Sequence, residues 1–205
     1  MSRDVTAIVL AGGRSSRFGS DKLAVDIDGR SVLDRAIDAA AVVATEVIVV
    51  GGRGERPMVR AVADPEPFGG PLQALRAALD AVATELAMVV AGDMPSLVPD
   101  VLDLLIETLV GAPDTDAAAL VDPADAGRRQ PLPLATRVGP ARTAATAALA
   151  SGDRSLVRLL GRLRLAEVPA HEWLALDPAA RTLVDIDVPD DLRRTRDVAP
   201  DQRKR

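Results

Sequence analysis

The sequence predicts an α/β fold, a mostly parallel sheet with helices on both faces, and three observations carry that prediction. Short runs of Val, Ile, Leu and Ala recur along the chain, as strands buried on both faces require. Stretches with helical spacing separate these runs, the order that parallel strands with helical crossovers need. Glycine pairs or a Gly-Asp step follow the runs ending at Leu10, Val50 and Ala91, and open parallel sheets bind ligands outside such strand ends.

Taken in order, Val5–Leu10 is a largely apolar strand that stops at Gly12-Gly13. Residues 31–43 have helical periodicity, with Val32, Leu33, Ala36, Ile37 and Ala40 on one face. Ser31 is placed to cap that helix, and Asp34 holds the capping-box position where Glu or Gln is commoner. Glu46–Val50 is a second strand closed by Gly51-Gly52, and residues 58–63 form a short third one. A helix over 71–82 follows, then the buried strand Leu86–Ala91 ending at Gly92-Asp93-Met94-Pro95, a helix over 99–109 and the strand Ala117–Val121. Residues 130–135 could form a strand, which Pro131 and Pro133 demote to an edge or an irregular segment. Helical stretches are expected over 142–151 and 155–163, a short strand over 183–186 and a helix over 190–196. With no internal repeat and no linker, residues 1–197 are expected to be a single domain, and 198–205 a polar tail without fixed structure.

Composition excludes several classes of function. Hydrophobic residues make up 48% of the 205 residues and aromatics only 1%. The core must therefore be aliphatic, and the aromatic platforms of single-strand nucleic acid binders are missing. The net charge is −5 and the cations form no stripe, which argues against a nucleic acid partner. Cysteine is absent and His171 is the only histidine, which removes disulfides, thiolate metal sites, cysteine nucleophiles and multi-histidine zinc sites. Arg3-Asp4 leads straight into a strand without the zones of a signal peptide, and no apolar run is long enough to span a bilayer. The expectation is a cytoplasmic protein without a membrane partner.

The chemistry concentrates in Ile8 to Lys22, where a strand runs into Gly12-Gly13 and a loop carrying Arg14, Arg17, Gly19 and Lys22. Glycine lets backbone N–H groups approach a ligand, and successive N–H groups with fixed cations cradle a polyphosphate. The loop is neither of two common phosphate loops. Gly13 and Gly19 are one residue too far apart for G-x-x-x-x-G-K-[ST], and Ser20 follows Gly19; adjacent Gly12 and Gly13 break G-x-G-x-x-G. Arg17 and Lys22 would neutralise phosphate charge as a pyrophosphate leaving group develops.

Asp93 follows a buried strand and a glycine. It either holds Mg²⁺ against bound phosphates or caps the local turn, and isolated residues weigh the two readings equally. Asp185 and Asp187, on one face of the expected strand, offer a second metal carboxylate. Asp64, before Pro65, can accept hydrogen bonds from a guanine edge or from ribose hydroxyls. Gly69-Gly70-Pro71 opens a helix whose N-terminus could face an anion or a substrate. His171 and Trp173 read as surface or packing residues rather than catalysts. The segments after Leu10 and Val50, Asp64 and Gly92-Asp93 are predicted to converge.

These motifs together resemble the molybdenum cofactor guanylyltransferases, within the wider nucleotidyltransferases of Rossmann-like, three-layer αβα fold. The resemblance runs over about residues 5–110 and returns at Asp185 to Leu192. Its most specific part is the string from Leu10-Ala11-Gly12-Gly13 to Arg17-Phe18-Gly19-Ser20-Asp21-Lys22; Gly70-Pro71-Leu72 and Gly92-Asp93-Met94-Pro95 add to it. It implies an N-terminal half that binds nucleotide and a C-terminal half that binds the acceptor. It also implies that Leu10, Ala11 and Gly12, beside Gly13, contact a guanine nucleotide, with Lys22 on its phosphates. Asp64 would contact the nucleotide and Asp93 would ligate Mg²⁺; of the Asp185/Asp187 pair read above, Asp187 is the residue expected to complete the metal site.

The implied reaction is Mg²⁺-dependent transfer of GMP from GTP to molybdopterin-bound molybdenum cofactor, releasing pyrophosphate. Molybdoenzymes or cofactor-delivery proteins would be transient partners. The chain departs from the family at Val50-Gly51-Gly52, where Asn is common, and at Asp185-Ile186-Asp187-Val188-Pro189, which is closer to the cytidylyltransferases. It departs again at Gln73-Ala74, where Ala-Gly is common. Guanine stays favoured because Gly12-Gly13 differs from the Ala-Ala-Gly of the cytidylyl branch. CTP, another phosphorylated acceptor, or nucleotide binding without catalysis are the alternatives. Arg128-Arg129 with 130–133 could meet an anionic pterin phosphate, although an exposed loop with solvated charge is the favoured reading.

Overall fold

The computed structural model describes residues 4–12, 21–51, 57–64 and 69–186. The chain forms β1 (Val5–Leu10), β2 (Asp26–Ile27), β3 (Arg30–Ser31), α1 (Val32–Val42), β4 (Glu46–Val50), β5 (Val59–Val62) and α2 (Pro71–Ala81). It continues through β6 (Leu86–Ala91), α3 (Pro99–Gly111), β7 (Ala117–Val121), β8 (Arg129–Arg137), α4 (Val138–Ala150), α5 (Leu156–Leu160), β9 (Leu165–Val168) and α6 (Ala170–Leu176).

The main sheet has seven strands in the order β5-β4-β1-β6-β8-β7-β9. All run the same way except β8, which is antiparallel to both β6 and β7. Alternate strand residues feed two cores. Val5, Ala7 and Val9 of β1 face α1 and α3, while Ile8 and Leu10 face α2, α4 and α5. The expected helix–sheet–helix layering is therefore present. Ser31 caps α1 as its position predicts, its Oγ accepting the Asp34 N–H at 3.0 Å and donating to Asp34 Oδ2 at 2.7 Å. Among the described residues no helix is long and apolar enough to cross a membrane.

Two expectations need correction. The segment over 130–135 is not an edge: it belongs to β8, a nine-residue strand inside the sheet. Its prolines are tolerated because the β6 register spans only Leu134 to Arg137. The β7 register shifts between Ala119 and Val121, so Pro131 and Pro133 occupy the irregular stretch. The short strand expected over 183–186 is a 3-10 turn, Arg181–Leu183, followed by irregular chain. Its side-chain alternation therefore gives no argument for Asp185 and Asp187 sharing a strand face. Three pieces were not anticipated: the β2–β3 ribbon, edge strand β9 and helix α6. α6 inserts Trp173, fully buried, whose Nε1–H donates to the Val121 carbonyl at 3.0 Å. His171 is exposed, as expected. The 190–196 helix and the tail lie outside the described residues.

Candidate functional site

The strand order reverses at β1. The chain crosses from β1 to β4 on one side, whereas β6 pairs on the other. The C-terminal ends of β1 and β6 therefore flank the crevice where doubly wound sheets bind their ligands. The two ends stay locked past the last ladder residue, since the Gly92 N–H donates to the Leu10 carbonyl at 2.9 Å. The Ala11 N–H likewise donates to the Val50 carbonyl at 2.9 Å, and the Gly51 N–H to the Val62 carbonyl at 3.2 Å.

The glycines here sit where any side chain would be crowded. Gly51 has φ +74°, and a Cβ there would lie 3.0 Å from the Gly12 Cα. A Cβ on Gly12 would come within 3.2 Å of Asp64 Oδ2. A Cβ on Gly92 would meet Leu33 Cδ1 at 3.0 Å and the Ala11 Cα at 3.3 Å. Gly12, Gly51 and Asp64 therefore meet on one side of β1, and Ala11 meets Gly92 on the other, so the predicted convergence of strand ends is realised.

The charged centre lies across the same ends. Asp93 follows the end of β6 and accepts the Lys22 ammonium on Oδ2 at 2.6 Å. Both side chains are largely but not wholly covered, at 18% exposure for Lys22 and 22% for Asp93. Lys22 is carried by a 3-10 turn, Lys22–Ala24, whose first N–H groups are capped by Asp21, with Oδ1 accepting from the Leu23 N–H at 3.1 Å. The backbone of Asp93 is held separately, its carbonyl accepting the Ile186 N–H at 3.0 Å. Ile186 is fully buried against Ile27 and Val32. The late segment thus reaches the site as a buried apolar plug, with Asp185 exposed beside it.

Of the residues singled out from sequence, Leu10, Ala11, Gly12, Lys22, Asp64 and Asp93 come to these strand ends. Gly13, Arg17 and Asp187 lie outside the described residues. Arg129 is turned to the sheet edge, where its Nε donates to Glu167 Oε1 at 2.7 Å, and Arg128 is exposed 3.8 Å from Asp122. Gln130 donates to Asp122 Oδ2 at 2.6 Å. These three therefore have partners within their own hairpin and its neighbouring strand. Sequence reasoning missed the crowding at Gly51 and Gly92, and it missed Arg154. Arg154 reaches the Gly69-Gly70 turn from the other half of the chain, its Nη1 donating to the Gly69 carbonyl at 3.2 Å. Only the repeated Gly-Gly and Gly-Asp steps after strands could have signalled the crowding, and no local signal marks Arg154.

Residues 7–168 match the family described as the MobA-like NTP transferase domain. A probable molybdenum cofactor guanylyltransferase of Chloroflexus aggregans is 34% identical over 197 residues, covering 92% of each chain. Another, from Natronomonas pharaonis, is 29% identical over 94% of this chain and 96% of its own. The crystal structure of molybdopterin-guanine dinucleotide biosynthesis protein A from Archaeoglobus fulgidus superposes with a TM-score of 0.77 at 22% identity, covering 94% of this chain and 97% of that one. That likeness speaks for the fold.

Proposed function

The chain belongs to the MobA-like NTP transferase family, and from that premise we propose that it transfers GMP from GTP to a molybdenum-molybdopterin cofactor. As a nucleotidyltransferase it would join an acceptor phosphate oxygen to the α-phosphorus while the bond from that phosphorus to the bridging α–β oxygen breaks. Pyrophosphate would leave with that bond's electron pair. The observation that carries the reading is the Lys22–Asp93 contact of 2.6 Å at the β1/β6 strand ends. It sets a cation and a hard oxygen ligand side by side at the strand ends where open parallel sheets receive their ligands.

In this reading the Leu10-Ala11-Gly12 backbone, crowded by Gly51, lies against the nucleotide, with Gly13 continuing the loop. Lys22 turns from Asp93 to the phosphates, and Arg17 adds a second cation against the charge that develops on the leaving group. Asp64, beside Gly12, accepts hydrogen bonds from the base or ribose. Mg²⁺ fits the residues present, because Asp93 already holds a cation on a carboxylate oxygen, and Mg²⁺ takes one or two carboxylates together with substrate phosphates. Among the described residues no three His, Cys, Asp or Glu side chains gather as a metal cluster, so phosphate and water oxygens would supply the remaining ligands. Asp93 would hold the ion, with Asp187 as a second carboxylate, and the ion would supply neutralisation of phosphate charge.

Pyrophosphate release with Mg²⁺ and each of the four nucleoside triphosphates, with and without molybdopterin-type acceptor, tests the proposal. Release that needs both GTP and acceptor is expected. Release with CTP alone would move the chain to cytidylyl transfer, which the Asp185-Ile186-Asp187-Val188-Pro189 sequence favours as the second reading. Silence with all four would overturn the substrate assignment.

A further inference from the structure

We propose that Arg154 is a positioning residue for the nucleotide, acting through the Gly69-Gly70 turn. The inference rests on the nucleotide reading above and adds a specificity element supplied by the other half of the chain. α2 runs from the C-terminal end of β5 back to the start of the parallel strand β6, so the turn that opens it lies at the C-terminal edge of the sheet, the edge where Asp64 stands against Gly12.

Two glycines in succession have the widest backbone freedom a chain can have. Gly70 sits at φ +97° and caps α2 without any side-chain hydrogen bond. Within α2 the Gly70 carbonyl accepts the Gln73 N–H at 3.2 Å and the Ala74 N–H at 3.3 Å, and a contact from outside the helix adds to that hold. Arg154 makes this contact with one guanidinium nitrogen, Nη1, which donates to the Gly69 carbonyl at 3.2 Å and to Oε1 of Gln73 in the first turn of α2. A Cβ on Gly70 would lie 3.2 Å from the Arg154 Cβ and 3.4 Å from its carbonyl oxygen. Backbone of the second half is thus fitted directly against this turn.

Arg154 is itself held on both sides. Before it, Gly152 turns the chain at φ +82°, and Asp153 accepts from Arg162 at 3.2 Å. After it, Ser155 caps α5 by accepting the Val157 N–H at 3.2 Å, and Leu156 and Leu159 are buried in the core that α2 shares. A cation whose backbone is fixed, spanning a carbonyl and an amide oxygen across a glycine turn, pre-shapes that turn before ligand arrives. Gln73, in the first turn of α2, supplies the second acceptor.

The test is equilibrium titration with GTP and with CTP, and steady-state kinetics, on the full chain and on Arg154→Ala, Arg154→Lys and Gln73→Ala. Arg154→Ala keeps the Cβ that packs at Gly70 and removes the rest of the side chain with its guanidinium. It should weaken GTP binding and raise the KM for GTP by about fivefold, with kcat within about twofold and a narrower GTP-to-CTP ratio. Arg154→Lys should recover part of that loss, and Gln73→Ala should cost about twofold. Thermal midpoints should stay near that of the parent chain. An unchanged Kd and KM in Arg154→Ala, or a fall in kcat alone, would overturn the inference while leaving the nucleotide reading intact. Failure of the unmodified chain to bind either nucleotide would overturn that reading and the inference with it.

Discussion

Two carboxylate–cation pairs sit at opposite ends of the sheet and are built differently. Asp116, just before β7, accepts the Arg164 N–H at 2.9 Å and the same residue's Nε at 3.1 Å on Oδ2, and its Nη2 at 2.8 Å on Oδ1. Those bonds hold the Asp116 carboxyl below the usual carboxylate range, and burial only partly opposes them. Asp93, just after β6, takes the Lys22 ammonium at a single point on Oδ2. An arginine fork that also uses its own backbone N–H ties β7 to β9 at three points. A lysine ammonium is a point charge on a flexible stem, able to leave one oxygen for another. The pair at the N-terminal end of its strand is thus a multipoint tie, whereas the pair at the C-terminal end is the one that the proposed mechanism requires to exchange partners.

The contrast breaks most visibly in activity. Asp93→Asn should lower nucleotidyl transfer by about a hundredfold or more while leaving the fold intact. Asp116→Asn should leave turnover unchanged below its melting range and cost about 1–2 kcal/mol of stability. Steady-state rates beside urea titrations would show whether the two effects segregate; a destabilised but active Asp93→Asn would erase the distinction. Next in size, Lys22→Met should weaken GTP binding by about tenfold and guanosine binding hardly at all. Equal losses for both ligands would mean that Lys22 does not leave Asp93 for phosphate.

Smaller still, Gly51→Ala should cost about 1–3 kcal/mol, since it adds a clash with the Gly12 backbone at 3.0 Å to an unfavourable φ of +74°. Gly29→Ala, at φ +83° with nothing within 4 Å of its Cβ, isolates the conformational part and should cost less. The smallest effect is on acid stability. Because the folded Asp116 carboxyl has a depressed pKa, its contribution is fully present above the unfolded value, near pH 4, and is lost as pH falls through the folded value. Denaturation midpoints from pH 7 downward should therefore show a shallower acid limb in Asp116→Asn than in the parent chain.

How well each region could be read follows the same division. The first half was legible because its signals are local. A short, largely apolar run rich in β-branched residues such as Val5–Leu10, closed by glycines, reads as a strand buried on both faces, and Ser31 with Asp34 writes a helix start into residues three apart. The strand-end glycines, Lys22 and Asp93 could be read as a site because topology sends every parallel strand's C-terminal end to one edge. The second half was harder. Proline chemistry argued Pro131 and Pro133 away from the sheet interior, yet the register shift on β7 leaves room for them. Alternation suggested a strand around Asp185, but burial of Ile186 against Ile27 and Val32 governs that segment instead.

The sequence by itself determined the layer order, the strand-end glycines and the charge types available for phosphate and metal, because each depends on residues a few positions apart. Tertiary structure alone decided the antiparallel insertion of β8, the crowding of Gly12 by Gly51 and of Ala11 by Gly92, the Lys22–Asp93 contact across 71 residues of chain, and the reach of Arg154 to a turn 85 residues earlier. Contacts at that separation are set by how whole elements pack. The local preferences of the residues that make them carry no record of their partners.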